Sequence, residues 1–254
     1  MGTCWVLCTL LLVCGISCIN GETPLLSLQG TANSYAAFSS LSVCPNSQLT
    51  LNFKSHLPNG LLAYMDYENN SFIQLKLEGG AVKLRVRLSN GNTLKLSTGE
   101  NLHDWRWHKV SISWSQKVTQ LKVGNSFQTG SLDFGSAPDA MVPSNSLLYV
   151  GGLPNLKVLI LEELSLPTVY YEPRFSGAIV NISYINCSST PTITAPELLS
   201  YDGLRTSEDN QCTDENTCEN GGRCLNTNNG PYCDCKYTSY GGANCSVGEC
   251  DQIF

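Results

Sequence analysis

Phe72–Leu96 reads FIQLKLEGGAVKLRVRLSNGNTLKL, and apolar residues occupy every second position along most of it. This period of two is typical of β-strands that bury one face and expose the other. Gly79-Gly80 and Asn90-Gly91 separate the alternating runs, and such dipeptides favour the tight turns of hairpins. The stretch therefore predicts neighbouring strands joined by short turns, with one apolar face.

The same alternation occurs in Leu49–Phe53 and Val110–Trp114, and Pro58-Asn59-Gly60 predicts a further hairpin. No helical stripe of apolar residues accompanies these segments. Many short strands with regularly spaced turn signals favour a β-sandwich, and the segment that carries them is long enough for one core. The fold class is therefore predicted to be all-β.

Four stretches connect this sandwich to a known family: LPNGLLAYMDY (57–67), LHDWRWHKVSISW (102–114), LLYVGGLP (147–154) and RFSGAIVNISYIN (174–186). In order and spacing they resemble a laminin-G-like (LNS) domain, which implies a jelly-roll β-sandwich of two sheets. The resemblance covers nearly the whole segment, and we expect this domain to occupy residues 22–207.

A second, much smaller module follows the sandwich. Six cysteines lie in the 34 residues from Cys212 to Cys245, CTDENTCENGGRCLNTNNGPYCDCKYTSYGGANC. Zinc fits poorly, because no C-x2-C pair occurs and no histidine follows His108. So short a segment buries too little apolar surface to fold unaided, and each disulfide typically stabilises such a fold by ~2–4 kcal/mol. The cysteines are therefore interpreted as disulfides, although spacing alone leaves all fifteen pairings open.

The segments CENGGRC, CDC and YGGANC resemble an EGF-like module, expected at residues 208–246, with a short tail at 247–254. The resemblance implies the pairs Cys212–Cys224, Cys218–Cys233 and Cys235–Cys245. In the sandwich, Cys44 and Cys187 are expected to bridge two terminal strands. Cys250 then has no assigned partner, which suggests intermolecular pairing or a partner in a missing part of the protein.

Residues 1–21 contain an apolar run from Cys4 to about Ile16, which has the length of a signal peptide and is too short to span a bilayer. No later run reaches the ~18 apolar residues that a membrane span needs, so no transmembrane segment is expected in this chain. The protein is predicted to be secreted, where cysteines pair. A cell-surface location stays open if the full-length protein continues to a membrane anchor.

A laminin-G-like domain followed by one EGF-like module resembles the amino-terminal part of an alpha-neurexin, as does the ending C-D-C-x2-T-x-Y-G-x3-C. The resemblance implies cell adhesion, with cell-surface or extracellular-matrix proteins as partners. Two alternatives stay open: a soluble carrier of a small apolar ligand, and a matrix protein that binds a glycosaminoglycan such as heparan sulfate. Nucleic acid is not an expected partner.

The sequence carries none of the common catalytic motifs. It has no G-x-S-x-G, no H-E-x-x-H and no Gly-rich phosphate loop, so neither an enzyme nor any catalytic residue is predicted. Trp105, Trp107 and His108 form a conspicuous cluster, but large aromatic side chains beside a strand usually belong to the core. We therefore predict that these aromatic residues are buried.

The one cofactor to consider is calcium at the rim of the sandwich, because the laminin-G-like resemblance implies such a site. Ser71 stands where the family usually has its aspartate. Asp66, Glu68 and the carbonyl of Leu88 remain as ligands. Calcium affinity depends on the number of carboxylates, so the site is expected to be weakened.

Two kinds of surface feature complete the predictions. N-glycosylation sequons begin at Asn69, Asn181, Asn186 and Asn244. A partner-binding basic face is predicted on three successive strands, where alternation brings five side chains together: Lys76, Lys83, Arg85, Arg87 and Lys95. In a chain of net charge −6, this face suits an acidic protein or a sulfated glycan, and the alternative is an ordinary solvated face diluted by Glu78.

Overall fold

The computed structural model describes residues 23–67, 70–88, 91–132, 134, 147–155, 163–185, 187, 193–204, 218–227, 230–236 and 238–248. Within these ranges the chain forms β-strands and a short 3-10 helix, η1, at Pro167–Tyr171. The strands of the first half are β1 Leu26–Gln29, β2 Tyr35–Phe38, β3 Gln48–Lys54, β4 Gly60–Tyr67, β5 Ser71–Glu78, β6 Ala81–Arg87, β7 Thr93–Thr98, β8 His108–Trp114 and β9 Val118–Val123. The later strands are β10 Ser126–Ser131, β11 Leu148–Val150, β12 Ser176–Ile185, β13 Ile193–Thr194, β14 Leu198–Asp202, β15 Arg223–Thr227, β16 Gly230–Asp234, β17 Tyr240–Gly241 and β18 Val247–Gly248.

Two seven-stranded sheets face each other. Sheet A has the order β1-β12-β3-β8-β9-β10, with β13 paired to β12, and sheet B has the order β14-β2-β11-β4-β5-β6-β7. The pairs between named strands are antiparallel. They include β5 with β6 and β6 with β7, the strands that Phe72–Leu96 predicted as neighbours. The all-β sandwich is therefore confirmed.

Alternation along the strands explains the core. β3, β6 and β8 each bury every second residue, so their apolar side chains point between the sheets. One continuous cluster of buried residues joins the inner faces of sheets A and B. Its largest members include Trp114, Phe53 and Phe38, all at most 2% exposed.

The prediction of a hairpin at Pro58-Asn59-Gly60 is wrong. β3 belongs to sheet A and β4 to sheet B, so this turn carries the chain from one sheet to the other. A Cβ at Gly60 would lie 2.9 Å from the Cα of Phe175, so the turn packs tightly against the residue just before β12. The turn residues correctly indicated a change of direction, but contacts with a remote segment determine which strand comes next.

A second apolar layer covers part of the outer face of sheet B. We call it the outer cluster, and its buried members are Leu61, Tyr64, Phe72, Leu153, Leu166 and Val169. Leu166 and Val169 come from the segment around η1, which lies across β4 and β5. Only part of the outer face of sheet B is therefore open to solvent.

The small module follows as two short antiparallel pairs, β15 with β16 and β17 with β18. It contacts the sandwich at strand β14 and the residues just before it. The Lys236 ammonium lies 3.5 Å from a carboxylate oxygen of Glu197 and donates to the carbonyl of Leu198 at 3.4 Å. The guanidinium of Arg223 lies 4.4 Å from the ring centroid of Tyr201. Charged and aromatic contacts thus attach the module to the edge of sheet B.

Candidate binding surfaces

The predicted basic face lies on the outer side of sheet B. Cross-strand pairing places Lys76 opposite Lys83 and Arg85 opposite Lys95, while Arg87 pairs with Phe72 at the end of β6. We call these five residues, Lys76, Lys83, Arg85, Arg87 and Lys95, the sheet B basic face. The structure thus brings the predicted side chains together on neighbouring strands.

Carboxylates pair with two of the five basic residues of this face. Lys76 lies 2.9 Å from Glu172 and 3.2 Å from Glu78, and Lys83 also contacts Glu78. Burial alone would lower the pKa of Lys76, but hydrogen bonds to Glu172 and Glu78 raise it above the ordinary value. Hydrogen bonds from Lys83 and Lys76 hold the pKa of Glu78 below its ordinary value. The face is therefore mixed in charge, and the sequence reasoning missed Glu172, which is remote along the chain.

The paired side chains line an open cleft of about 450 Å³, whose walls include Gln74, Lys95, Gln128 and Glu172. The guanidinium of Arg85 lies 5.3 Å from the ring centroid of Phe72, and its Nε is buried without a hydrogen-bond partner. A buried unpaired donor is costly, and a ligand oxygen in the cleft would satisfy it. The cleft therefore offers hydrogen-bond donors and acceptors, and both positively and negatively charged side chains.

The proposed calcium ligands at the rim are already engaged where the structure describes them. Asp66 accepts hydrogen bonds from the Tyr64 hydroxyl at 3.0 Å and from the backbone N–H groups of Tyr67 and Ser165 at 3.1 and 3.0 Å. The carbonyl of Leu88 accepts from the N–H of Gly91 at 2.9 Å. Ser71 is buried, and Glu68 lies outside the described residues. Three donors leave the Asp66 carboxylate little remaining capacity for a calcium ion, and Leu88 offers only one neutral oxygen, so these two ligands would bind calcium weakly.

The same contacts give Asp66 a structural role. It ties the end of β4 to the residues before η1, and burial together with the Asp66 carboxylate raises the pKa of Tyr64 far above its ordinary range. The described residues contain no group of three or more His, Cys, Asp or Glu side chains placed to hold a metal ion. Calcium binding stays a prediction, and its described ligands do not favour it.

The disulfides are arranged as follows in the structure. Cys44 is bonded to Cys187 with a Cα–Cα distance of 5.8 Å, and Cys218–Cys233 and Cys235–Cys245 each span 5.5 Å. Cys224 is also disulfide-bonded. Cys212 and Cys250 lie outside the described residues. The EGF-like assignment of the module stays a prediction.

Two of the four sequons can be placed. Asn181 is exposed in a bulge of β12, where its φ is +54°, so its amide is accessible to a glycosyltransferase. The amide nitrogen of Asn244 donates to Glu219 at 2.8 Å, and its oxygen accepts from Ser246 at 2.6 Å. Asn69 and Asn186 lie outside the described residues. Asn181 is the better acceptor of the two described positions.

The prediction that Trp105 and Trp107 are buried in the core is wrong. They are 40% and 43% exposed, whereas Trp114 of the same stretch is 2% exposed. Both lie in or next to the loop before β8, on the outer side of sheet A. His108 is partly buried, its ring 5.6 Å from that of Phe53, and its Nε2 lies 2.7 Å from the Asp104 carboxylate. The prediction rested on how often aromatic residues are buried. That frequency does not consider that Trp105 and Trp107 precede the first residue of β8.

The fold defines the class of this protein. The family model described as "Laminin G domain" matches residues 53–186, which is more than half of the chain. The chain therefore belongs to the laminin G domain family. Among solved structures, domains LG4-5 of the mouse laminin alpha1 chain match at a TM-score of 0.54 and 18% identity, covering 73% of this chain and 47% of that one. At that identity the likeness concerns the fold.

More specific likeness comes from curated relatives. Neurexin 1 of Drosophila melanogaster is 34% identical over 86% of this chain and 13% of its own length. Neurexin-2 of Rattus norvegicus is 32% identical over 80% of this chain and 11% of its own length. The chain thus has neurexin homologues, and it spans only a small part of their length. Within the described residues, no helix is long and apolar enough to cross a membrane.

Proposed function

We propose that this protein is an extracellular recognition protein of the neurexin type, which binds another protein on a cell surface or in the matrix. Identity to neurexins over most of the chain supports extracellular adhesion as the general role. It acts by binding and does not catalyse a reaction. The binding surface is the cleft on the sheet B basic face, and the mixed charge of that cleft is the observation that carries the proposal.

The chemistry of the cleft suits a folded protein partner. Glu78 and Glu172 hold Lys76 and Lys83 in place, so these two side chains are ordered before a partner arrives. Protein interfaces match charges of both signs and satisfy polar groups at the rim. The unpaired Nε of Arg85 would gain an acceptor on binding. A polyanion, in contrast, would have to compete with carboxylates that already occupy Lys76 and Lys83.

The packing of the interior does not support the carrier alternative. Large side chains from both sheets, including Phe38, Phe53 and Trp114, meet in one cluster that is nearly free of solvent. A small apolar ligand between the sheets would need space that these side chains fill. The cleft on sheet B is open and lined mostly by charged and amide side chains, which is unsuited to a steroid-like molecule.

The test uses the whole chain, displayed in multiple copies on beads, and cultured cells with and without brief trypsin treatment of their surface. We expect binding to untreated cells, loss after trypsin, and at least a fivefold decrease with Lys83→Ser/Arg85→Ser/Arg87→Ser. The three side chains are half-buried on the outer side of β6 and none belongs to the core, so the variant should fold, and its thermal midpoint verifies this. Lys117→Ser, in the exposed turn before β9, is the matched control and should bind like the parent. Binding that survives trypsin or the triple substitution would contradict the proposal.

A further inference from the structure

Strand β10 forms one edge of sheet A, and it lacks the features that usually protect an edge strand. An open edge is a template on which another strand can pair, so proteins usually cover it or place a charge, a proline or a bulge in it. β10 reads SFQTGS, which contains no charged residue and no proline, and its register with β9 is unbroken. Among the residues that the structure describes, no strand pairs with the other side of β10.

The other three sheet edges are protected. Beside β1, the N–H of Gln29 donates to the carbonyl of Gly203 at 3.2 Å, so the chain after β14 covers that edge. β14, at one edge of sheet B, lies against the small module. β7, at the other edge, carries the charged Lys95, and the N–H of Ser97 donates to the side chain of Gln128. β10 is therefore the edge that the described residues leave open.

The backbone of β10 presents unpaired groups at every second residue. A two-residue turn at 124–125 joins β9 to β10, so the hydrogen-bonded pairs fall on the even-numbered residues of β10. The same alternation continues beyond the strand, where the N–H of Leu132 donates to the carbonyl of Lys117 at 3.0 Å. The backbone groups that point away from β9 are those of Phe127, Thr129 and Ser131.

These three residues also project their side chains from the outer side of sheet A. Their partners on β9 lie on that side because they alternate with buried residues. Phe127 lies opposite Lys122, and Ser131 lies opposite Val118. Phe127 and Val118 are 62% and 45% exposed, so a single chain leaves two large apolar side chains in water beside the open edge.

We propose that β10 pairs with β10 of a second copy of this chain. The two strands run antiparallel about a two-fold axis, and sheet A then continues from one copy into the other. With the axis at Thr129, this residue lies opposite the partner's Thr129, and Phe127 lies opposite the partner's Ser131. All the outward backbone groups of both strands then find partners.

The side chains of β10 suit this self-pairing. Neither strand carries a charge, so no like charges meet across the axis. Threonine opposite threonine is a favourable cross-strand pair. Because Ser131 is small, Phe127 extends across the partner's Ser131 towards the partner's Val118, which is next in the same row. The strand is thus complementary to itself in backbone register, size and charge, which favours a second copy over an unrelated strand.

The oligomeric state of the purified whole chain tests the proposal. Sedimentation equilibrium is measured from nanomolar to high micromolar concentration, with Cys250→Ser in every chain so that no disulfide through this unassigned cysteine links two copies. We expect a reversible equilibrium between monomer and dimer. Its Kd should be in the micromolar range, because a single strand pair buries little surface.

Substitutions on β10 locate the interface. Thr129→Pro should raise the Kd of the dimer at least tenfold, because it removes an outward N–H without removing a hydrogen bond to β9. Phe127→Lys should raise it by a similar factor. Phe127→Lys/Ser131→Glu should restore dimerisation, since each new ammonium faces a new carboxylate of the partner. Ser111→Lys, on the outer side of β8, is the matched control and should dimerise like the parent.

A disulfide tests the register. Thr129→Cys places one cysteine of each copy at the two-fold axis, where the Cα atoms of a hydrogen-bonded pair are about 5.5 Å apart and can be bridged. Gln120→Cys, one strand further in along the same row, is the matched control, because its two copies lie three strand spacings, ~14 Å, apart. We expect oxidation to link the first variant into covalent dimers and to leave the second unlinked.

Circular dichroism and the thermal midpoint verify folding, and Phe127→Lys decides the outcome if Thr129→Pro does not fold. The proposal is overturned if the parent stays monomeric, if the dimer persists in Phe127→Lys, or if Thr129→Cys does not cross-link. A monomeric chain whose binding to cultured cells falls with Phe127→Lys would mean that a strand of another protein occupies the edge, which also overturns pairing with a second copy. Failure leaves the protein-binding role of sheet B untouched, since none of the substituted residues lines its cleft.

Discussion

Both outer faces of the sandwich present basic side chains on alternating strand positions, yet their surroundings differ. On sheet B, Glu172 reaches Lys76 from 96 residues further along the chain, and the outer cluster covers neighbouring strands. On the outer side of sheet A, Lys54 lies beside the exposed Trp105 and Trp107, and it has no ion pair with the described residues. The comparison teaches that the character of a sheet face depends on which remote segment crosses it, as much as on the strands themselves.

The largest expected effect tests how tightly the outer cluster packs on sheet B. Leu153→Ala removes a fully buried side chain of the outer cluster, and we expect it to lower the free energy of unfolding by ~2–5 kcal/mol. Phe127→Ser, on the open side of sheet A and 62% exposed, should change it by no more than ~0.5 kcal/mol. Urea denaturation measures both. If Leu153→Ala lowers the free energy of unfolding by less than ~1 kcal/mol, the outer cluster is loosely packed.

A smaller effect tests the ion pairs. Lys76→Met leaves Glu172 and Glu78 without their shared cation, and we expect a loss of about 1–2 kcal/mol because Lys76 and Glu172 are each only about 20% exposed. Lys109→Met on sheet A is the matched control and should be nearly neutral. A double-mutant cycle with Glu172→Gln should reveal the coupling. Equal effects of Lys76→Met and Lys109→Met would remove the contrast between the faces.

The next effect depends on pH. The folded state holds the pKa of Glu78 below its ordinary value of 4.5, so ionised Glu78 stabilises the fold above that pH. The stabilisation is lost as pH falls through the lowered folded pKa. Because the Glu78 side chain is nearly half exposed and screened by solvent, we expect this stabilisation to be only ~0.2–1 kcal/mol. The difference in urea midpoint between the parent and Glu78→Gln should therefore be present at pH 6 and vanish near pH 2.

The smallest expected effect concerns the rim next to sheet B. Millimolar calcium should leave the thermal midpoint almost unchanged, because Asp66 and Leu88 already have protein donors. Calcium at 100 times its dissociation constant would stabilise the fold by ~2.7 kcal/mol, which a thermal scan detects easily. A clear upward shift that disappears with Glu68→Gln would identify a site built on that carboxylate.

Much of the fold could be predicted from the sequence. Alternation in β3, β5, β6 and β8 identified the strands, because successive side chains on any strand point to opposite sides. The family motifs led to the laminin G domain, which the comparisons bear out. The five residues of the sheet B basic face were also placed correctly on neighbouring strands.

The site could be predicted only in part. Sequence reasoning found the basic side chains but neither their partner Glu172 nor the exposed Trp105 and Trp107. The exposure of Trp107 could have been predicted from the alternation. Trp107 is two residues from Lys109, so both point to the side of β8 opposite the buried Val110. For Glu172 no local signal exists, because nothing around it indicates which strand it crosses.

The sequence by itself determined which residues form strands and which side of each strand is apolar, since both follow from local side-chain periodicity. Tertiary structure alone decided that Pro58–Gly60 crosses between the sheets and that the Asp66 carboxylate accepts from the N–H of Ser165. It also decided that Glu172 pairs with Lys76 on the outer side of sheet B. The physical reason is distance along the chain. Periodicity fixes the direction of a side chain relative to its own strand, whereas its neighbours come from segments that only packing of the whole sandwich brings close.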